Sequence, residues 1–358
     1  MKKKLIILNT SQFGSLTDSY KWCQYLREYI DITFISFNNK TKKMDIPGVT
    51  YKYVYRFDNT LLRGAWYILY TLFYCLFHQS KVFIVYFDYC HIFPLLLGRN
   101  RFHVDVRTLA VTDDEEQNMK LDSKLRKSLS FFNSVSYISE GIKNKLSLNI
   151  QNQYILPLGA DIISNKEKEW NKLRLLYVGT MNHRDIPKTI DGLYMFTQKY
   201  GKENISYDIV GDGSELEDVK QKVNKYNLSD VVSVHGKIMY DELGNFFDKN
   251  NIGISFVPLK ECYQHQPPTK SYEYILSGLY CIATDTTSNR DIININNGIL
   301  IEDTSTSFCK ALSYVADNLH EISKLKIKNT LIASHTWGSI VETSLMPIIE
   351  ALTSVRPI

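Results

Sequence analysis

Residues 267–284 read PPTKSYEYILSGLYCIAT, and this stretch decides the fold. Two prolines lead into a helical pattern over 269–277, Gly278 stops it, and a buried strand follows at 280–284. Proline is tolerated at a helix start because its missing N–H would have no intrahelical partner there. The amides of Thr269 and Lys270 then point out of a helix N-terminus, a setting that suits a phosphate. Lys270 adds a mobile positive charge. Glu273, one turn further in, is placed to accept hydrogen bonds from vicinal hydroxyls such as those of a ribose. A plain strand–loop–helix with a surface lysine and glutamate reads the same way.

Outward from this segment, short Val/Ile/Leu/Tyr runs alternate with longer amphipathic stretches, the pattern of parallel-sheet α/β architecture. Strands are expected at 4–8, 32–37, 51–55, 82–86, 102–106, 134–138 and 154–156. A second set falls at 174–178, 207–210, 231–234, 252–257, 280–284 and 298–301. Helical patterns lie between most of them, for example at 19–29 and 141–148. The charged run SNKEKEWN at 164–171 separates the two sets and reads as a linker. Two doubly wound domains follow, 1–165 and 166–335, with a ligand cleft expected where the carboxyl ends of both sheets face each other. Residues 336–358 form a closing helix.

The chain has 358 residues, 44% hydrophobic and 22% charged, which excludes collagenous, low-complexity and wholly disordered classes. Six scattered cysteines show no Cys-x-x-Cys pair, so free thiols in a reducing compartment are expected. The first apolar run stops at Asn9, too short for a signal peptide. Residues 1–165 carry 21 basic and 14 acidic side chains, whereas the rest carries 21 and 24. The first domain is therefore expected to face something anionic, or simply water. The longest apolar stretch, LLRGAWYILYTLFYCLFH at 61–78, is too short to span a bilayer once Arg63 is counted. A buried core helix is the first reading. The second is a helix lying on a membrane surface, since Trp66, Tyr67, Tyr70 and Tyr74 are interfacial residue types.

Gly211-x-Gly213 lacks the third glycine of a dinucleotide fingerprint, because Leu216 stands there, and it reads as a turn. No nucleophile elbow or Walker loop is present. The acidic run at 113–116 reads as a solvated loop, and no metal-ligand set is nominated.

Taken together, Pro268-x-Lys270-x-x-Glu273-Tyr274, then Gly278 and a buried strand, resembles the nucleotide-sugar segment of retaining GT-B glycosyltransferases, notably glycosyltransferase family 4 (glycosyl transferases group 1). Further segments match in order along nearly the whole chain: Pro157-Leu158-Gly159-Ala160-Asp161, Tyr177-Val178-Gly179, Val210-Gly211-Asp212-Gly213, Val234-His235-Gly236 and Thr336-Trp337. The resemblance implies two Rossmann-like domains, with the last helix crossing back to the first.

It also implies roles for particular residues. Arg184 and Lys188 would neutralise the donor diphosphate. Gly179 and Thr180 would line the donor loop, although the family often has arginine where Thr180 stands. Thr269, Lys270 and Glu273 would bind the nucleotide. The family's first glutamate falls at His265, which leaves reading of the donor hexose to that histidine or to none. Gly14 would lie in a loop near the donor phosphates or the acceptor. Arg107, at a strand end, would approach the transferring sugar or form a structural salt bridge.

The implied activity is retaining, metal-independent transfer from a nucleoside-diphosphate sugar, with no other cofactor, to a glycan or lipid-linked acceptor. No Asp-x-Asp occurs to hold a metal. The expected setting is bacterial surface-polysaccharide synthesis in the cytoplasm, at the inner face of the membrane and in peripheral contact with anionic lipid. No nucleic-acid partner is expected. A GT-B nucleotide-sugar epimerase and a catalytically silent binding partner of another transferase remain alternatives.

Overall fold

The structure, a computed structural model, describes residues 2–112 and 114–354. The chain forms two compact units. One comprises the chain up to Leu158 together with the segment from Trp337 on, and the other is Gly159–Thr336.

The first unit is built on seven parallel strands: β1 (Lys3–Leu8), β2 (Ile30–Asn38), β3 (Val49–Tyr55), β4 (Lys81–Val85), β5 (Phe102–Val106), β6 (Ser134–Tyr137) and β7 (Asn152–Ile155). Their order is β3-β2-β1-β4-β5-β6-β7, with Leu5 opposite Ile32 and Lys81. The order reverses between β1 and β4, the switch point of a doubly wound sheet. Central strands such as β4 and β5 are buried along nearly their whole length, which is why they read as continuous apolar runs and not as alternation. Five helices connect them: α1 (Thr17–Leu26), α2 (Thr60–Phe77), α3 (Ile92–Leu97), α4 (Glu115–Leu129) and α5 (Glu140–Leu146). The C-terminal helical run starts at Trp337 and buries Trp337, Ile340, Leu345, Ile348 and Leu352. Thr353 accepts a hydrogen bond from Lys3 at 3.0 Å.

The second unit carries six parallel strands: β8 (Leu173–Val178), β9 (Ile205–Val210), β10 (Val232–Gly236), β11 (Ile252–Ser255), β12 (Tyr280–Thr284) and β13 (Gly298–Ile301). Their order is β10-β9-β8-β11-β12-β13. Among its helices are α6 (Pro187–Tyr200), α7 (Leu216–Lys225), α8 (Gly244–Lys249), α9 (Glu261–Gln264) and α10 (Thr269–Leu276). All thirteen strands expected from the sequence are present, with ends displaced by at most two residues.

Two sequence readings need correction. The run at 164–171 is part of the second unit. Ser164 is buried and donates to Asp248 at 2.6 Å, while Lys168 donates to the Phe247 carbonyl at 2.6 Å. Burial pushes the Lys168 ammonium down to about 8. The second correction is α2, which is not a core helix. Tyr67, Thr71 and Cys75 pack inward, whereas Leu61, Leu62, Leu69, Phe73 and Phe77 are exposed. Apolar composition reports what gains from leaving water; it does not say which surface will cover it.

The acidic run begins at Asp113, outside the described residues. Asp114 caps α4, accepting from the amides of Glu116 and Gln117 at 2.9 and 3.1 Å. Asn59 does the same for α2.

Arg107 sits within the first unit, in a partly buried ion cluster. Its guanidinium meets Asp18 at 2.5 Å and Asp105 at 3.7 Å, donates to the Leu156 carbonyl at 2.7 Å, and lies 5.3 Å from the Trp22 ring. The cluster ties the ends of β5 and β7 to α1. Burial pushes the Asp105 carboxyl up to about 6, against the pull of Arg107. Arg107→Ala would leave the buried Asp105 and the partly exposed Asp18 without their shared cation, an expected loss of up to about 3 kcal/mol. Urea unfolding checks this: a stability equal to the unsubstituted chain would mean that the cluster does not brace the sheet.

Candidate active site

The second unit gathers its chemistry at the carboxyl ends of β8 and β9. A cavity of about 430 Å³ opens there, lined by Gly179, Thr180, Asn182, Gly211, Asp212 and Lys237 among others. Its floor exists because two backbones meet. A Cβ on Gly211 would lie 1.8 Å from the Gly179 carbonyl oxygen, and Gly211 holds φ at +148°. Only glycine fits both conditions.

Helix α10 brings the charged groups. The Lys270 ammonium lies 4.1 Å from the Tyr177 ring centroid and next to Gly179. Burial first, and Arg184 second, push it down to about 7. Arg184 is held over the Tyr263 ring at 4.5 Å. A lysine whose charge is disfavoured by burial and by a neighbouring guanidinium forms a site that gains from an incoming anion. Glu273, one turn along α10, is buried. Burial pushes its carboxyl up to about 7, with the Asp161 charge adding to the rise while Tyr240 and Lys270 oppose it. The Tyr240 hydroxyl lies 3.2 Å from both Glu273 and Asp161, so one proton serves two carboxylates.

Gly179, Thr180, Arg184, Lys270 and Glu273 therefore share one neighbourhood, with Thr269 exposed at the first turn of α10. Lys188 pairs with Asp185 at 2.7 Å. His265 follows α9 near Asp291, whose carboxyl burial raises above its usual range while His265 opposes the rise. Gly14 belongs to the first unit, at φ +87°, where a Cβ would strike the Met44 sulfur at 2.5 Å. It is a required turn residue. Among the described residues, no group of three or more metal-ligating side chains is assembled.

Sequence reasoning missed Glu215. Its carboxylate accepts from the amides of Arg184, Asp185 and Ile186 at 2.7, 3.0 and 2.9 Å. These contacts shape the loop that carries Arg184, in which His183 and Asp185 both adopt positive φ. It stands just before α7, yet the side chain makes no capping bond there. Tyr240 was missed for a similar reason, being a surface-type residue more than thirty positions from its partner.

A doubly wound pair of domains with this site defines the class: the fold is GT-B. Residues 172–318 match the family model described as Glycosyl transferases group 1, so the second unit carries a glycosyltransferase domain of that group. Solved structures agree on the fold. Sucrose-phosphate synthase from Thermosynechococcus elongatus superposes with a TM-score of 0.76 at 13% identity, covering 99% of this chain and 100% of that one. Anabaena HepE in complex with UDP-glucose gives 0.71 at 12%, covering 98% and 100%. An E. coli structure titled as trehalose-6-phosphate bound with UDP-2-fluoro glucose gives 0.72 at 11%, covering 99% and 100%. No curated protein sequence matches the chain.

Glu215→Ala should release the Arg184 loop. Removing a carboxylate that serves three amides is expected to cost about 1.5–3 kcal/mol or more, with faster amide exchange at 184–186. Protection at those amides equal to the unsubstituted chain would show that the loop holds its own shape.

Proposed function

We propose that the chain is a retaining, metal-independent glycosyltransferase that moves a hexose-type sugar from a nucleoside-diphosphate sugar to a glycan or lipid-linked acceptor. The observation that carries this reading is the pairing on α10 of Lys270, beside the Gly179 loop, with Glu273 one turn further in. A diphosphate would take the lysine, the Arg184 guanidinium and the first-turn amides of α10. Ribose hydroxyls would take the glutamate. The UDP-sugars bound by the similar structures support a uridine donor first, with guanosine second. Surface-polysaccharide synthesis in the cytoplasm fits an acceptor of this kind, and no cofactor besides the donor is required.

In the reaction, the bond between the anomeric carbon and the diphosphate oxygen breaks, and the electron pair leaves with the nucleoside diphosphate. Lys270 and Arg184 stabilise that growing negative charge in a site where little water screens it. The acceptor oxygen bonds to the same face of the anomeric carbon, and its proton passes to the departing phosphate. No protein nucleophile is invoked.

Both charged groups on α10 should appear in the pH dependence of nucleotide binding. Anion binding favours protonated Lys270, so affinity falls as pH rises above about 7. Ribose binding needs ionised Glu273, so affinity also falls as pH drops below about 7. Calorimetry with UDP should give an optimum near neutrality, and Glu273→Ala should weaken binding by roughly 1.5–3 kcal/mol and remove the acid limb. Equal affinity in the variant would take Glu273 out of the site.

Transfer assays in EDTA address the leaving group. Rates should be retained, because side-chain cations carry the charge neutralisation. Complete loss restored by Mg²⁺ or Mn²⁺ would replace that mechanism with a metal-assisted one.

A further inference from the structure

We infer that Tyr240 and Asp161 are positioning residues for Glu273: the tyrosine hydroxyl orients its carboxylate, and the aspartate charge beside it opposes its ionisation. The inference rests on the nucleotide reading above and names the groups that decide when this carboxylate can accept ribose hydroxyls.

Glu273 stands on α10, whereas both partners come from other parts of the second unit. Tyr240 opens a short 3-10 turn, Tyr240–Glu242, just after Lys237 and Ile238, which line the cavity at the ends of β8 and β9. The residue is half exposed, yet its hydroxyl turns inward and reaches Glu273 Oε1 and Asp161 Oδ2, each at 3.2 Å. A tyrosine on an exposed turn has water for a partner, so a hydroxyl given to two carboxylates marks a polar task and not a packing one.

Asp161 is held from behind. The Ala160 amide donates to the His335 carbonyl at 2.9 Å, and Ala160 pairs with Thr336 in an isolated parallel bridge. The His335 ring lies 5.3 Å from the ring of Tyr272 on α10. Asp161 therefore keeps its register to the helix that carries Glu273.

The two partners act on Glu273 with opposite sign. Burial first, and the two carboxylates second, push the Tyr240 hydroxyl far up, so it stays a donor throughout the neutral range. That hydrogen bond favours the ionised glutamate, with Lys270 assisting, whereas burial and the Asp161 charge disfavour it. A hydroxyl carries one proton and donates to one carboxylate at a time. Ribose hydroxyls bring further donors to a point where two carboxylates converge on one hydroxyl, and bonds to an ionised acceptor are the strong ones.

Two near-isosteric substitutions test this. Tyr240→Phe removes the donor and keeps the ring; Asp161→Asn removes the charge and keeps the size. In ¹³C-carboxyl NMR without nucleotide, the Glu273 titration should move to higher pH in Tyr240→Phe and to lower pH in Asp161→Asn. In calorimetry with UDP, the ratio of variant to unsubstituted Kd cancels the titration of UDP itself. At about pH 6 that ratio should rise about three-fold or more for Tyr240→Phe and fall to about one third or less for Asp161→Asn. With 2′,3′-dideoxyuridine diphosphate, which offers no ribose hydroxyls, both ratios should flatten across pH. Unchanged melting temperatures separate these effects from lost folding. A Glu273 titration that stays in place in both variants, or moves the same way in both, would overturn the assignment. Opposed NMR shifts in a chain that binds no UDP at any pH would instead remove the nucleotide reading and leave the tuning of Glu273 in place.

Discussion

One missing side chain sets where the reactive groups stand. Gly253, in β11, leaves room for the Tyr274 ring, and a Cβ there would fall 2.2 Å from the ring. The Tyr274 hydroxyl in turn accepts from the amide of Val178 at 2.8 Å. Helix α10 is thereby fixed against the sheet at two points, one steric and one polar. Lys270 and Glu273 inherit their positions from this docking. A shift of α10 by a fraction of a turn would separate the ammonium from the Gly179 loop and the carboxylate from Tyr240.

The two units spend charge differently. In the first, Arg107 is enclosed by Asp18, Asp105 and a carbonyl, and the ion cluster works as internal bracing. In the second, burial and the neighbouring Arg184 disfavour the charge on Lys270, a cost that an anionic ligand relieves. Glu215 makes that arrangement durable by holding the Arg184 loop through three backbone amides instead of through the arginine side chain. The guanidinium stays available because the backbone does the anchoring.

What was legible in the sequence follows the range of the forces involved. Strands of a parallel sheet are buried on both faces, so β4, β5 and β12 announce themselves as unbroken apolar runs. Helix α10 was legible because its start and stop are local: two prolines and Gly278. Lys270 and Glu273 came with it. Partners distant in sequence were not legible. Nothing near Glu215 points to the amides of 184–186, and nothing near Arg107 points to Asp18. The exposure of α2 was hidden for the opposite reason. Its composition is that of a core helix, and only the fold shows that the sheet has room for a single stripe of it.

The first unit is discontinuous, and this has a consequence for how the protein is made. Its sheet is complete once Ile155 has been synthesised, but the helical run that buries Trp337, Leu345 and Leu352 follows only after the whole second unit. At ~5–20 residues per second, the intervening stretch takes roughly 10–40 s. The second unit, continuous in sequence, closes during that interval. The nascent chain thus holds a half-covered sheet until that run has emerged. Chaperone dependence and truncation sensitivity should accordingly concentrate in the half of the molecule that is synthesised first.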